Sequence, residues 1–340
     1  MLSNSVTGIL LKIYFGLCFI INVFSFFLYI LILIFIGSGI KKKDKFYSSG
    51  FYKLIIFNGI LDLIFIVEEY ITFKIPQIGF FENFYINIFP KYLISGICYT
   101  YSIAQTIFSS LTGITITLNR FIAIKYPTKY NYIWSSWRLI LLCTWPLLIS
   151  VPVFIIFYKK ELEYGLISNG SITVYYKDFY LNHLIWQILV IIHSIGLCIN
   201  ITLNVILIYT IKTSDILGKI KNIDKKKEMR LEISLARFAV VYCTFFTILV
   251  CVEIAIIISM KNEAYYVIEN IFTSYAFIQS VVIFFTPYTL LYLSSDFRKK
   301  FLFFIGCSKL YYLGNKNKTS VKTIQTSTNA LRRKITFLKN

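Results

Sequence analysis

The stretch LNRFIAIKYPTKY, residues 118–130, marks the point where a long apolar run gives way to basic loop residues. Arg120 stands at the end of the run, and Pro127 and Tyr130 follow it at spacings of seven and ten residues. An arginine at a helix end can pair with an acid on a neighbouring helix in one state and turn away in another, and a proline stops the helix so that the chain folds back. The alternative is a snorkelling arginine that only anchors the helix end at a membrane surface.

The composition of the chain is that of an integral membrane protein. Its 340 residues are 57% hydrophobic with a mean hydropathy of +0.69, which is too apolar for an ordinary soluble domain. The seven cysteines show neither a disulfide framework nor metal-ligand spacing. His183 and His193 are ten residues apart and do not match the i, i+4 spacing of a helical metal pair. We therefore expect no enzyme activity, metal or other cofactor.

Seven apolar stretches are long enough to cross a bilayer. A bilayer core about 30 Å thick needs roughly 20 mostly apolar helical residues. The sequence therefore predicts an all-α membrane protein with a bundle of seven transmembrane helices. The predicted spans run over residues 13–37, 52–73, 93–118, 138–158, 184–210, 236–259 and 266–292.

Most of the 35 basic residues lie on one side of the predicted bundle, in the loops after spans one, three and five and in the tail. Cytoplasmic loops carry an excess of Lys and Arg, so the N terminus is predicted outside and the tail inside. Lys74 is assigned to the outer side, just after span two. The net charge of +19 then faces anionic lipid of the inner leaflet and an intracellular partner, and no nucleic acid is needed to explain it.

The chain divides into a transmembrane domain, residues 1–305, and a basic cytoplasmic tail, residues 306–340, that we expect to be disordered. Asn169 begins an Asn-Gly-Ser sequon in the outer loop after span four and is a candidate glycosylation site. Cys307 follows the last apolar segment and is a candidate palmitoylation site, with an idle cysteine as an equal alternative.

The end of span three resembles the Asp-Arg-Tyr segment of rhodopsin-like G-protein-coupled receptors, here Asn119-Arg120-Phe121, followed by Pro127. The resemblance implies that these residues couple the receptor to a heterotrimeric G protein. Asn119 replaces the acid of the family motif, so Arg120 lacks its usual neighbour and needs another partner or water. The residues Cys-Trp-x-Pro of span six are also missing, and the detailed switch of rhodopsin cannot be transferred.

The end of span seven supports the same resemblance. Pro287 precedes Phe297-Arg298 by ten residues, the spacing that joins the span-seven proline to helix eight in these receptors. Phe297, Phe301 and Phe304 recur at helical spacing, as expected for an amphipathic helix in the membrane interface.

A narrower resemblance appears in FYSSGFYKLIIFNGILDLI, residues 46–64, and LNRFIAIKYPTKYNYIW, residues 118–134. Both look like nematode serpentine chemoreceptors, most closely class gamma and its class V relatives, over roughly residues 10–305. The resemblance implies a chemosensory receptor in the plasma membrane of sensory neuron cilia. Such a receptor binds a small odorant or pheromone among the outer halves of its helices and activates a heterotrimeric G protein inside.

Two further comparisons with rhodopsin-like receptors concern positions inside the bundle. Asp62 and Ser109 match residues of the family's sodium site, yet span seven offers Thr286 and no asparagine nearby. A packed or water-bridged Asp62 is the alternative, although intramembrane acids are usually functional. The outer loop after span four has no cysteine, so the disulfide that ties this loop to span three in most of the family cannot form.

Polar residues in the outer and middle thirds of the spans are the predicted ligand-binding groups, because polar groups in an apolar bundle fix ligand orientation. Glu253 in span six is the most specific prediction among these ligand-binding residues, and the alternative role for it is a hydrogen bond to a neighbouring helix. The full set is Tyr99, Ser102, Gln105, Trp186, Gln187, Glu253, Tyr275 and Gln279.

Glu228 and Glu232 lie in the basic loop before span six and are predicted to restrain Arg120 in the inactive state. The basic face of this loop can also anchor to anionic lipid without any partner.

Two other functions are the alternatives to a receptor. A seven-span chemosensory ion channel of insect type is expected to have a cytoplasmic N terminus, against the charge bias found here. A transporter would show repeat symmetry and broken helices at the midplane, and the sequence shows neither.

Overall fold

The protein is almost entirely helical in a computed structural model that describes residues 2–44, 46–166, 171–213, 223–262 and 264–306. Side chains are described from Ile13 on the first helix and from Ile233 after the last long gap. The helices are α1 (Leu2–Lys41), α2 (Gly50–Glu69), α3 (Ile75–Gln77), α4 (Leu93–Lys125), α5 (Pro127–Ile133), α6 (Ser136–Thr144), α7 (Leu147–Phe157), α8 (Phe179–Thr213), α9 (Ile223–Lys261), α10 (Tyr265–Leu293) and α11 (Ser295–Phe304). A π turn, Tyr70–Lys74, joins α2 to α3, and a second π turn, Phe84–Ile88, and a 3₁₀ turn, Phe89–Lys91, precede α4.

Five helices within the described residues are individually long and apolar enough to cross a membrane. They are α1, α2 with its extension to Gln77, α4, α8 and α9. Two further helix pairs, each separated by a short break, pass the same test together: α6 with α7, and Ile278–Leu293 of α10 with α11. The five to seven candidate spans confirm the predicted class of a seven-span, all-α membrane protein.

The fourth span is broken where a single helix was expected. Helices α6 and α7 meet at a bend of 42°. Pro146 lies in the break and has no N–H to donate to the helix, whereas Trp145 before it keeps helical dihedral angles. The indole Nε1 of Trp145 donates to Thr115 Oγ1 of α4 at 2.7 Å, which holds the break against the centre of the bundle.

Helix α4 forms the centre of the bundle and packs against α2, α7, α8 and α9. In its apolar window 83% of the residues are buried inside the protein, compared with 33% for α1 and 28% for α8. The exposed isoleucine, leucine and phenylalanine side chains of α1 and α8 are therefore the surface that the protein offers to lipid.

A β-hairpin covers one end of the bundle, within the stretch that the sequence predicts as the outer loop after span four. Strands β1 (Leu162–Leu166) and β2 (Ile172–Tyr176) pair antiparallel, with Leu162 opposite Tyr176. Tyr176 is buried, its hydroxyl lies 3.1 Å from Thr100 Oγ1 of α4, and its ring lies 5.0 Å from that of Tyr99. Hydrogen bonding and aromatic packing thus attach this loop to α4, where most rhodopsin-like receptors use a disulfide. Asn169 lies between the strands, outside the described residues.

The chain divides after Thr289 into two compact units, and α11 belongs to the second. Ser294 caps α11 by accepting a hydrogen bond from the N–H of Phe297 at 3.2 Å. Phe297 and Phe301 are buried and their rings stack, whereas Phe304 is 43% exposed. Arg298 is exposed and donates to the backbone carbonyl of Leu291 at 3.0 Å. Helix α11 is therefore amphipathic, with two of the three expected phenylalanines on its buried face.

Candidate ligand-binding cavity and cytoplasmic end

A cavity of about 660 Å³, which includes space open to solvent, lies beneath the hairpin. Its walls come from α2, the first π turn, α3, α4, β2, α8 and α10. A second cavity of about 1010 Å³, also including space open to solvent, adjoins it and shares five lining residues, Trp186 among them. We call the first the outer cavity, following the orientation predicted from the basic residues. Apolar walls with a few polar groups are typical of small-molecule sites.

The outer cavity brings together five of the eight predicted ligand-binding residues, and three lie elsewhere. Gln187 is exposed on the surface of α8, next to the cavity-lining Trp186. Gln105 lines a smaller neighbouring cavity with Ser109. Glu253 is fully buried behind the cavity wall. The five lining residues are Tyr99, Ser102, Trp186, Tyr275 and Gln279.

Glu253 of α9 pairs with His193 of α8, and the contact is an ion pair when the imidazole is protonated. The imidazole Nδ1 lies 2.7 Å and 2.9 Å from the two carboxylate oxygens, and both side chains have no exposed surface. Tyr275, which lines the cavity, donates its hydroxyl to Glu253 at 3.1 Å. Glu253 is thus one side chain removed from the cavity, and Tyr275 connects it to whatever the cavity holds.

A cluster of charged residues at the end of α2 was missed by the sequence reasoning. Lys74 Nζ lies 2.6 Å from Glu69 Oε2 and 2.5 Å from Ser280 Oγ of α10. Both charged side chains are buried, with 8% and 1% of their surface exposed. Lys74 is therefore inside the bundle and not in the outer loop. Glu69 lines the outer cavity.

Glu68 completes the charged cluster. Its carboxylate accepts hydrogen bonds from Thr72 Oγ1 at 2.5 Å and from Ser102 Oγ of α4. Two adjacent acids within a predicted span were the available signal in the sequence, because intramembrane acids mark functional sites by default.

The π turn between α2 and α3 explains how Glu69 and Lys74 meet. Pro76 removes a backbone donor and its ring disfavours a normal turn before it, so the helix widens. A π turn places residues five apart on nearly the same face, which is the spacing of Glu69 and Lys74. The carbonyls of Ile71 and Thr72 accept hydrogen bonds from Tyr85 at 2.8 Å and Tyr164 at 3.3 Å.

Asp62 and Ser109 lie deeper in the bundle. Tyr29 of α1 donates its hydroxyl to Asp62 Oδ2 at 3.0 Å. Gln105 donates to Ser109 Oγ at 3.4 Å, and Tyr242 of α9 donates to the backbone carbonyl of Ser109 at 2.7 Å. Polar contacts therefore join α1 to α2 and α4 to α9 below the outer cavity.

Arg120 is packed inside the bundle at the opposite end of α4, with only 1% of its surface exposed. Its Nη2 donates to Asn119 Oδ1, and its guanidinium lies 4.0 Å from the ring centroid of Phe51 on α2. Asn119 in turn donates to the hydroxyl of Tyr130 on α5 at 3.2 Å. A snorkelling arginine would place its guanidinium in water, whereas this side chain lies where α2, α4 and α5 meet.

The other predicted coupling residues are spread around this end and the end of α10. Phe121 packs against a small core that includes Ile124. Pro127 occupies the first turn of α5, the helical position where proline is best tolerated, and Pro287 lies within α10. The side chains of Glu228 and Glu232, together with Cys307 and the tail, lie outside the described residues.

Sequence comparison places these features in a known family. The family profile described as serpentine type 7TM GPCR chemoreceptor Srv matches residues 18–307, which is most of the chain. A comparison with curated proteins found no match. The expected likeness to serpentine chemoreceptors is confirmed, and the matching type is Srv. The chain belongs to the Srv family of serpentine type 7TM chemoreceptors.

Proposed function

We propose that the protein is a chemosensory receptor that binds a small molecule in the outer cavity and activates a heterotrimeric G protein through the cytoplasmic end of α4. The observation that carries the proposal is the cavity itself. It is lined by aromatic side chains and a few polar groups, and the hairpin covers it. The proposed location is the plasma membrane of a sensory cilium.

The polar interior supports a route from the cavity to the rest of the bundle. Gln279 of α10 donates to Thr106 of α4 at 2.7 Å, and both line the cavity. Tyr275 connects the cavity to the ion pair of Glu253 and His193 on α9 and α8. A ligand that shifts α10 against α4 therefore disturbs contacts on four helices. Packed helices have discrete arrangements, so such a shift can move the cytoplasmic ends.

A reporter assay tests the proposal. Cells that express the full chain with a promiscuous G-protein α subunit are screened against small volatile and soluble compounds, with membrane current recorded in parallel. The proposal expects a ligand-dependent reporter response that disappears when G proteins are blocked. A ligand-gated current that persists under the same block would instead identify an ion channel.

A further inference from the structure

The outer cavity is lined by a buried glutamate, Glu69, and one of its two carboxylate oxygens lacks a donor. Glu69 Oε2 accepts a hydrogen bond from Lys74, whereas Glu69 Oε1 has no hydrogen-bond partner in the described part of the chain. Glu69 is 1% exposed and lines the cavity. A buried acceptor without a donor is unfavourable, so a ligand that brings an N–H or O–H group to this atom gains affinity.

The formal charges around this atom favour a cation. Glu68 and Glu69 face a single base, Lys74, whose ammonium contacts Glu69 and Ser280. The two hydrogen bonds that Glu68 receives come from hydroxyl groups, which carry no charge. Among the described residues the cluster holds two acids and one base, so an added cation balances its charge when both acids are ionised.

Aromatic rings complete the environment that a cation prefers. Phe73, Tyr99, Trp186 and Tyr275 line the same cavity, and Trp186 packs edge-on to Tyr275 with 5.5 Å between ring centroids. The faces of such rings attract ammonium groups in a desolvated site. Their apolar surface also fits an uncharged ligand body.

We propose that the outer cavity selects protonated amines, with the ammonium group on Glu69 Oε1 and an apolar body between the aromatic rings. This inference rests on the proposed function for its biological meaning, but it concerns binding alone. Neutral alcohols satisfy the carboxylate oxygen without balancing the charge and bind more weakly. Carboxylates of the same size are repelled.

Thermal unfolding of the purified full-length chain in detergent measures this selectivity without any G protein. The probes are alkyl and phenylalkyl amines of six to ten carbons, each with its matched alcohol and carboxylate. Ligands that bind only the folded state raise the unfolding midpoint. We expect the amines to raise it most. If no amine stabilises the protein more than its matched alcohol, the inference is wrong.

Two variants separate a ligand contact from a structural role. Glu69→Gln should weaken amine binding by about thirtyfold or more, because it removes the charged partner from a desolvated site. Lys74→Met should strengthen amine binding, since it leaves the carboxylate free for the ligand. If the pair of Glu69 and Lys74 has only a structural role, both variants should bind amines more weakly.

Folding of the Glu69→Gln variant needs its own control, because it leaves Lys74 charged and buried. The double variant Glu69→Gln with Lys74→Met removes both charges and should regain stability without regaining the amine preference. Recovery of amine preference in the double variant would contradict the inference. Amine binding without a reporter response would refute the proposed signalling alone. A reporter response to ligands that is unchanged in Glu69→Gln would refute only the amine site.

Discussion

The outer cavity and the cytoplasmic end of α4 each contain a buried charged residue of the same helix bundle, but the surroundings of the two residues differ. At the outer cavity, the lining residue Glu69 is buried and keeps one oxygen without a donor in the described part of the chain. At the cytoplasmic end, Arg120 is enclosed by Asn119 and the ring of Phe51, and Asn119 bonds onward to Tyr130. Under the proposed function, the first region receives a ligand and the second holds a charged group until the helices move.

Filling the outer cavity should cause the largest loss of ligand potency. Leu189 is buried on α8 and lines the outer cavity, so Leu189→Trp places an indole where the ligand would lie. We expect ligand potency in the reporter assay to fall by about a hundredfold, equivalent to about 2.7 kcal/mol. Gln187→Trp is the matched control, because Gln187 lies on the exposed face of the same helix. An equal loss in both variants would show that the cavity is not the binding site.

The ion pair behind the cavity should contribute to stability. Glu253→Leu leaves His193 without its carboxylate partner and should lower the free energy of unfolding by about 3 kcal/mol or more. Adding His193→Phe should recover much of that loss, because apolar residues can replace a buried pair. Chemical denaturation of the three variants measures both effects. Losses that simply add would show that the two residues do not act as a pair.

Strengthening the hydrogen bond between Asn119 and Arg120 tests the role of the cytoplasmic end. Asn119→Asp replaces an amide oxygen by a carboxylate, which adds an attraction between opposite charges to a hydrogen bond whose donor, Arg120, is already charged. If Arg120 must leave this position to signal, basal reporter activity should fall, by about tenfold for a gain of about 1.4 kcal/mol. Surface expression is the necessary control. Unchanged or higher basal activity at equal expression would mean that the bond does not hold the inactive state.

The hairpin contact should give the smallest effect. Tyr176→Phe removes the hydroxyl that meets Thr100 but keeps the buried ring, so stability should fall by about 1 kcal/mol. The dissociation rate of a bound ligand should rise as well, since the hairpin covers the cavity. Tyr180→Phe, at an exposed position just beyond the hairpin, should change neither quantity.

The seven-span fold was predictable from the sequence because a bilayer imposes both length and polarity on each helix. The interruptions were harder to foresee. Strands of five residues leave too short an alternation to be recognised within a loop. Lys74 was placed in the outer loop because the apolar run ends at Phe73, yet the helix continues through the π turn to Gln77.

Side-chain direction limited prediction of the site. Trp186 and Gln187 are neighbours in sequence, but one lines the cavity and the other is exposed. An apolar span has little amphipathic contrast, so its sequence does not show which face points inward. The apolar run ends before Lys74, so the sequence shows no basic partner for Glu69 within the span.

The most direct test of the account is to measure ligand binding and signalling together in Arg120 variants. Ligand binding is read from the unfolding midpoint of the purified chain, and signalling from the reporter assay at matched expression. The account predicts that Arg120→Ala retains binding and loses nearly all signalling. Arg120→Lys should retain binding with weakened signalling, because an ammonium cannot reproduce the planar, multiply donating guanidinium. Full signalling by both variants would contradict the account.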